Sequence, residues 1–126
     1  MIDLVPLGLQ HCEVVAEIAK QCLPESWSLE EIRDVLRYKH NVYYVAKDMD
    51  DVVAFAGIMI VADEAELLNI AVLESYRRQG IAQRLIEKLF IRARDNSAYR
   101  MLLEVRRSNM PAQHFYEKNR FTVLGE

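Results

Sequence analysis

The chain has 126 residues, of which 52% are hydrophobic and 28% are charged. This composition excludes a disordered protein, and the length predicts one domain over residues 1–126. The longest apolar stretch, Val52 to Ala62, is shorter than the roughly 20 residues that a bilayer-spanning helix needs, so we expect no membrane segment. No basic segment precedes an apolar run at the start, which argues against a secretory signal. Cys12 and Cys22 are the only cysteines, and we expect both to be reduced in a cytoplasmic protein.

Charge is distributed unevenly along the chain. Residues 1–76 contain 5 Lys and Arg against 14 Asp and Glu, whereas residues 77–107 contain 9 against 3. The formal net charge of −3 argues against a general nucleic-acid-binding protein. The basic segment favours a small anionic ligand, and the acidic part favours a cationic substrate. The alternative is a solvent-exposed helix face that carries most of the arginines.

Two helices are predicted in the first third of the chain. Apolar residues recur at helical spacing over about 10–22, and Pro24 ends this helix. Ser28 and Glu31 fit a capping box at the start of a second helix, which we expect to run to about Tyr38.

Three strands follow these helices. Residues 41–47 are rich in β-branched and aromatic side chains and predict a strand, and residues 52–61 predict a buried strand. The polar turn at 48–51 joins the two as a hairpin. Residues 66–72 predict the third strand.

The second half alternates helices and strands. A polar loop over 73–79 leads to a long amphipathic helix over about 80–94, and residues 99–105 predict the next strand. A short helix over 111–119 and the beginning of a strand at 121–124 complete the chain. The order α-α-β-β-β-α-β-α-β predicts an α+β fold with a mixed central sheet flanked by helices. The strands before and after the long helix should be parallel and joined by a right-handed crossover.

The most informative motif lies at the turn from strand to long helix. A glycine there lets backbone amides face an anion, and the helix N-terminus contributes about half a positive charge. The spacing Arg77-x-x-Gly80-x-Ala82 is neither the phosphate-binding loop that ends in lysine nor the three-glycine dinucleotide fingerprint. Taken alone, it also fits an ordinary turn with exposed arginines.

Here the sequence resembles a known family. The hexapeptide RRQGIA at 77–82, after the strand ELLNIAV, is similar to the acetyl-coenzyme A pyrophosphate loop of the GNAT N-acetyltransferase superfamily. The segments LEVRRSN at 103–109 and FYEK at 115–118 are similar to the bacterial ribosomal-protein-alanine N-acetyltransferases (RimI type). The resemblance covers nearly the whole chain, and it implies a GNAT-like central sheet that splays at a bulge.

The resemblance implies acetyl-CoA as co-substrate and assigns residues to it. Backbone groups of the strand would pair with the pantetheine arm, and the loop and first helical turn would surround the pyrophosphate. The residues assigned to the cofactor are Ile70, Ala71, Val72, Arg77, Arg78, Gln79, Gly80, Ile81, Ala82, Gln83 and Asn109. Asn109 has a second interpretation as the N-cap of the short helix. The three histidines lack the spacing of metal ligands, so we expect no metal.

The resemblance also assigns two catalytic residues. Glu104, which we place in the middle of the strand over 99–105, would be the general base, acting through a water. Its alternative role is an ion pair with Arg106 or Arg100. Tyr116 would donate a proton to the coenzyme A sulfur, because its pKa near 10 is close to that of the thiol. Its alternative role is aromatic packing beside Phe115.

Two departures from the family pattern concern the end of the sequence. Relatives continue past the strand at 121–124 with a hairpin, so we expect a C-terminally truncated sheet whose open edge favours self-association. Arg120 precedes Phe121 where the family usually has glycine, so that turn should differ.

The resemblance predicts an N-acetyltransferase that acts on the N-terminal α-amine (alanine) of a small-subunit ribosomal protein. Its partners would be acetyl-CoA and that N-terminal peptide, with no direct contact to nucleic acid or membrane. Two alternatives stay open. One is a GNAT enzyme for a small amine or a lysine side chain, and the other is a catalytically impaired module that binds coenzyme A.

Overall fold

The computed structural model describes residues 1–23 and 27–123, which form a five-stranded mixed sheet with helices on both faces. The strands are β1 (Ile2–Pro6), β2 (Asn41–Asp48), β3 (Asp51–Val61), β4 (Glu64–Val72) and β5 (Arg100–Leu102). The helices are α1 (Cys12–Cys22), α2 (Leu29–Val35), α3 (Ile81–Asp95) and α4 (Met110–Lys118), with 3-10 turns at Leu9–His11 and Glu74–Tyr76. The predicted α+β class and mixed sheet are confirmed.

The strands lie side by side in the order β1-β2-β3-β4-β5. The pairs β1–β2, β2–β3 and β3–β4 are antiparallel, and short turns join β2 to β3 and β3 to β4. β5 pairs parallel to β4, because α3 returns the chain to the same end of the sheet before β5 begins. The predicted hairpin and parallel pair are therefore confirmed.

Each face of the sheet covers its own apolar cluster. α3 packs against β2, β3 and β4 through the periodic apolar residues that its sequence predicted: Ile81, Leu85, Ile86, Leu89 and Ala93. α1 packs against β3 and β4 on the other face, where Val15, Ile18 and Phe55 are almost fully buried. Because both faces are covered, β3 is apolar along nearly its whole length.

The predicted capping box at the start of α2 is confirmed. The Ser28 hydroxyl accepts from the Glu31 N–H and the Glu31 carboxylate accepts from the Ser28 N–H, both at 3.1 Å. Cys12 is buried, Cys22 is half-buried, and both are free thiols. Pro24, predicted to end the first helix, lies outside the described residues. Within the described ranges, no helix combines the length and the apolar character that crossing a membrane requires.

The sequence prediction missed β1 and extended α2 too far. β1 contains Asp3 and Pro6, which weaken a strand pattern, but an edge strand tolerates proline. α2 ends at Val35 rather than near Tyr38, because the Asn41 side-chain amide caps the Val35 carbonyl at 3.2 Å.

Two strands near the C-terminus were also predicted wrongly. β5 is three residues long and ends at Leu102, so Glu104 lies beyond the strand rather than in its middle. Residues 121–123 form no strand, and Leu124 lies outside the described residues. The Phe121 N–H instead donates to the Tyr116 carbonyl at 3.0 Å, which folds the chain back onto the end of α4.

Candidate functional site

β4 opens away from β5 over most of its length. The two strands pair only from Glu64 to Glu66, opposite Arg100 to Leu102. The opposite edge of β4 stays paired with β3 as far as Val72. In the described part of the chain, the β5-facing backbone groups beyond Glu66 therefore have no strand partner. This edge can pair with an extended ligand.

A β-bulge lies where this opening begins. Gly57 of β3 is opposite Asn69, but the next residue, Ile58, is opposite Leu67, so Leu68 is an extra residue in β4. A bulge bends its strand and increases the local twist. The bend separates the later part of β4 from β5. Residues after Leu102 therefore do not pair with β4. The splayed sheet that the resemblance implied is present in the structure.

The turn from β4 to α3 presents a row of backbone N–H groups. Arg78 and Gly80 both have left-handed backbone conformations, with φ of 64° and 79°. The first helical hydrogen bond of α3 runs from the Arg84 N–H to the Gly80 carbonyl. Within the described residues, the N–H groups of 78–83 donate to no protein acceptor. Such a concave row at a helix N-terminus attracts an anion.

Gly80 leaves open space beside this row. A Cβ added there would meet no protein atom within 4 Å. Glycine is therefore favoured at position 80 by the positive φ, and not because a side chain there would clash with the protein. The space above the backbone is free for a ligand.

The two arginines of the loop differ in their contacts. Arg77 turns back toward the sheet: its Nε donates to the Val72 carbonyl at 2.9 Å, and its Nη2 lies 3.7 Å from the Cys22 sulfur. Among residues 1–23 and 27–123, the exposed Arg78 side chain makes no hydrogen bond or ion pair. Arg78 is therefore free to bind an anion, whereas part of the Arg77 guanidinium is already committed.

Glu104 is exposed, two residues after the end of β5. The alternative of an ion pair with Arg100 is wrong, because Arg100 pairs with Glu64 across the β4–β5 ladder. The Glu104 carboxylate thus lies where the parallel ladder ends and the strands diverge.

Tyr116 is half-buried on α4. Its ring makes edge-to-face contacts with Phe115 and Phe121, with centroids 5.5 and 5.7 Å apart. Burial raises the pKa of the Tyr116 hydroxyl, so at neutral pH this group is a proton donor. The predicted aromatic packing is confirmed, and it is compatible with a role as an acid. The Asn109 side chain accepts from the Ala112 N–H at 3.1 Å, which confirms its role as N-cap.

Glu104 and Tyr116 line one cavity of about 1320 Å³. It lies between the second half of α3, β5 with the residues after it, and α4. Residues 70–83 are not among the residues that line it. A hydrogen bond of 2.7 Å from the Gln83 amide to the Asn119 side chain connects α3 to the end of α4. The expected self-association along this side of the sheet stays a prediction.

Comparison with known families decides the class of the protein. The acetyltransferase (GNAT) family matches residues 12–121. The chain belongs to this family. It is therefore an acyltransferase, as the resemblance predicted, and its sheet is the GNAT fold.

Relatives of this GNAT acetyltransferase include a ribosomal protein bS18-alanine N-acetyltransferase from Haemophilus influenzae. The two are 38% identical over 113 residues, which are 89% of this chain and 75% of the relative. The crystal structure of the ribosomal-protein-S18-alanine N-acetyltransferase from Escherichia coli superposes with a TM-score of 0.90 at 27% identity, covering 99% of this chain and 80% of that one. The aminoglycoside N-acetyltransferase AAC(6')-Iy, solved with CoA, has a TM-score of 0.87 at 19% identity, covering 100% and 91%, and shows the fold alone.

One polar contact of this GNAT acetyltransferase was not predicted from the sequence. The Tyr43 hydroxyl donates to the Asn69 side-chain oxygen at 2.7 Å, across the intervening strand. Gly57, an isolated glycine in a buried strand, was the available signal, because such a glycine often marks a bulge or a close approach. Which residues meet across Gly57 depends on the registers of the β2–β3 and β3–β4 pairs, and the sequence does not give these registers.

Proposed function

We propose that this acetyltransferase transfers the acetyl group of acetyl-CoA to the N-terminal α-amine, an alanine, of a small-subunit ribosomal protein. The observation that carries the proposal is the row of unused N–H groups over 78–83 beside the open edge of β4. A diphosphate and an extended amide chain, the two parts of coenzyme A that need protein contacts, match these two features. The name of the Haemophilus influenzae relative supports the choice of acceptor.

The cofactor would lie along the loop and the strand. The N–H groups of 78–83 bind the pyrophosphate, and the free Arg78 side chain adds a charged contact. The open edge of β4 at Ile70, Ala71 and Val72 pairs with the pantetheine amides through backbone groups other than the Val72 carbonyl, which Arg77 and Cys22 already contact, and one N–H there polarises the thioester carbonyl. Asn109, in addition to capping α4, contacts the cofactor near its thiol end.

The chemistry needs a neutral amine, a polarised carbonyl and a proton for the leaving thiolate. A peptide α-amine has a pKa near 8, so about a tenth is neutral at pH 7 and a modest base is sufficient. Glu104 accepts a proton from the amine through a water as the new C–N bond forms. The C–S bond then breaks, and Tyr116 gives its hydroxyl proton to the departing sulfur.

The acceptor experiment compares peptides that differ at one group. A peptide with an N-terminal alanine and one internal lysine is compared with the same peptide blocked at its N-terminus, and with a polyamine. We expect acetylation of the free α-amine only, located by tandem mass spectrometry. Acetylation of the blocked peptide or of the polyamine would instead identify a lysine or small-amine acetyltransferase.

Cofactor binding is measured separately. We expect acetyl-CoA to raise the melting temperature, because a ligand that binds only the folded state stabilises it. Dephospho-CoA and adenosine serve as controls, since the first retains the diphosphate and the second lacks it. Thermal protection without transfer to any acceptor would select the coenzyme A-binding module, and no protection would refute the proposed site.

A further inference from the structure

Three residues lie in register across the middle of the sheet. Tyr43 of β2 is opposite Gly57 of β3, which is opposite Asn69 of β4. A Cβ on Gly57 would lie 2.2 Å from the Tyr43 ring. The ring therefore lies directly over the Gly57 backbone, and the missing side chain lets the Tyr43 hydroxyl reach the next strand.

This contact fixes the orientation of the Asn69 carboxamide. The Tyr43 hydroxyl donates to Asn69 Oδ1 at 2.7 Å. Burial raises the pKa of Tyr43, so the phenol stays protonated and remains a donor. With Oδ1 occupied, Nδ2 points away from Tyr43 and carries two N–H groups. In the described part of the chain, no protein group accepts from them, and Asn69 is only half-buried.

Asn69 also lies at a specific place along the strand. It directly follows the bulge residue Leu68 and directly precedes residues 70–72, the open edge of β4. The N–H row that would hold the pyrophosphate begins beyond the other end of this edge. An extended ligand anchored at that row would therefore have its reacting end near Asn69. Trp27 lies on the same face, with its ring centroid 6.2 Å from that of Tyr43.

We propose that Asn69 Nδ2 donates a hydrogen bond to the carbonyl oxygen next to the reacting amine, and that Tyr43 is the positioning residue that aims it. The inference rests on the proposed function and names the acceptor class: amines with an adjacent carbonyl, as in a peptide N-terminus. A donor that the ligand leaves unpaired makes the complex less favourable, so an amine without that carbonyl binds less well. The Tyr43–Asn69 pair therefore contributes to acceptor specificity.

The test uses two small acceptors and two variants. Alanine amide has the adjacent carbonyl, and isopropylamine, in which a methyl group replaces the carboxamide, lacks it. Asn69→Asp keeps an oxygen for the Tyr43 hydroxyl but removes the N–H donors. We expect its kcat/KM for alanine amide to fall about tenfold, while that for isopropylamine changes less than about twofold, as expected for one lost hydrogen bond. Tyr43→Phe should change the same ratio in the same direction by a smaller factor.

The outcomes separate this inference from the proposed function. An equal loss for both acceptors in Asn69→Asp, or a weaker acetyl-CoA affinity measured by calorimetry, would mean that Asn69 supports the cofactor strand, and the inference would be wrong. Asn69→Ala, checked by thermal melting, replaces Asn69→Asp if the latter misfolds, with the same ratio expected. If the unmodified enzyme acetylates neither alanine amide nor peptides, the proposed function itself fails.

Discussion

The two edges of β4 are built differently. Toward β3, the strand is paired from Glu64 to Val72 with one bulge, and both of its faces are covered by helices. Toward β5, only Glu64 to Glu66 are paired. The open edge needs no strand partner beyond Glu66 because the opposite edge holds β4 in place. This fold thus uses a fully paired, buried ladder on one edge of β4 to present an incomplete ladder on the other edge to a ligand.

The largest expected effect is on kcat, at the two proposed catalytic residues, Glu104 and Tyr116. Glu104→Gln and Tyr116→Phe each remove a proton-transfer group while keeping nearly the same shape, so kcat should fall about 100-fold or more. Acetyl-CoA affinity should change little, because the proposed cofactor contacts are made by the N–H row and the edge of β4. Steady-state kinetics and calorimetry measure the two quantities.

Glu64→Gln is the matched control for Glu104→Gln. It neutralises a carboxylate on the paired part of β4, where Glu64 contacts Arg100. This variant should retain kcat, since a partly exposed ion pair contributes little. Unchanged turnover in both Glu104→Gln and Tyr116→Phe would rule out the assigned roles.

The next largest effect compares two glycines, one on each side of β4. Gly57→Ala places a methyl group against the Tyr43 ring, so the free energy of unfolding should fall by about 1–3 kcal/mol. Gly80→Ala meets no protein atom and should cost about 1 kcal/mol, because of its positive φ. Acetyl-CoA affinity should fall in Gly80→Ala and stay constant in Gly57→Ala. Urea unfolding and calorimetry test the pair, and the reverse pattern would refute the comparison.

The two loop arginines are expected to act on different properties, Arg78 on cofactor binding and Arg77 on stability. Arg78→Gln should weaken acetyl-CoA binding about fivefold at low ionic strength and by less at high salt, because a charged contact is lost. Arg77→Gln should lower stability by about 1 kcal/mol, since the Val72 carbonyl loses the Arg77 donor and keeps only the Cys22 thiol at 3.6 Å. If Arg77→Gln instead weakens binding as much as Arg78→Gln does, at unchanged stability, Arg77 contacts the phosphate directly.

The smallest expected effect concerns two residues with left-handed backbone conformations, one after α4 and one in the turn between β2 and β3. Arg120, with φ of 72°, follows α4, and Met49, with φ of 58°, lies in the β2–β3 turn. Replacing either with glycine relieves the backbone strain but increases the entropy of the unfolded chain, so we expect a net gain of about 0.5 kcal/mol. Thermal melting of both variants decides whether the two turns are equally strained, and a loss of stability in Arg120→Gly would show that its side chain stabilises the turn.

Local patterns predicted the parts of the fold that local forces determine. The capping box at Ser28 and Glu31 and the apolar face of α3 both depend on residues within one or two turns of each other. β1 was missed because its pairing with β2 joins residues about forty positions apart and its own pattern is weak. The length of β5, and with it the position of Glu104, depends on the bulge in β4, which is a property of the β3–β4 register.

The sequence predicted the backbone part of the candidate site but not its side-chain contacts between distant segments. The motif around Gly80 located the N–H row, because a strand, a glycine and a helix in sequence produce that geometry by themselves. The commitment of Arg77 to Val72 and the contact between Tyr43 and Asn69 could not be predicted, because each joins segments that meet only in the folded sheet.

The open edge of β4 has a consequence for how this segment tolerates sequence drift. Its main chain forms the unpaired edge toward β5, while the side chains of Ile70 and Val72 pack toward α3 and that of Ala71 packs toward α1. Their identities are therefore constrained by core volume and not by any ligand. In a saturation library, aliphatic exchanges of matching size at 70 and 72 should survive, whereas proline, which removes an N–H, should be eliminated at all three positions.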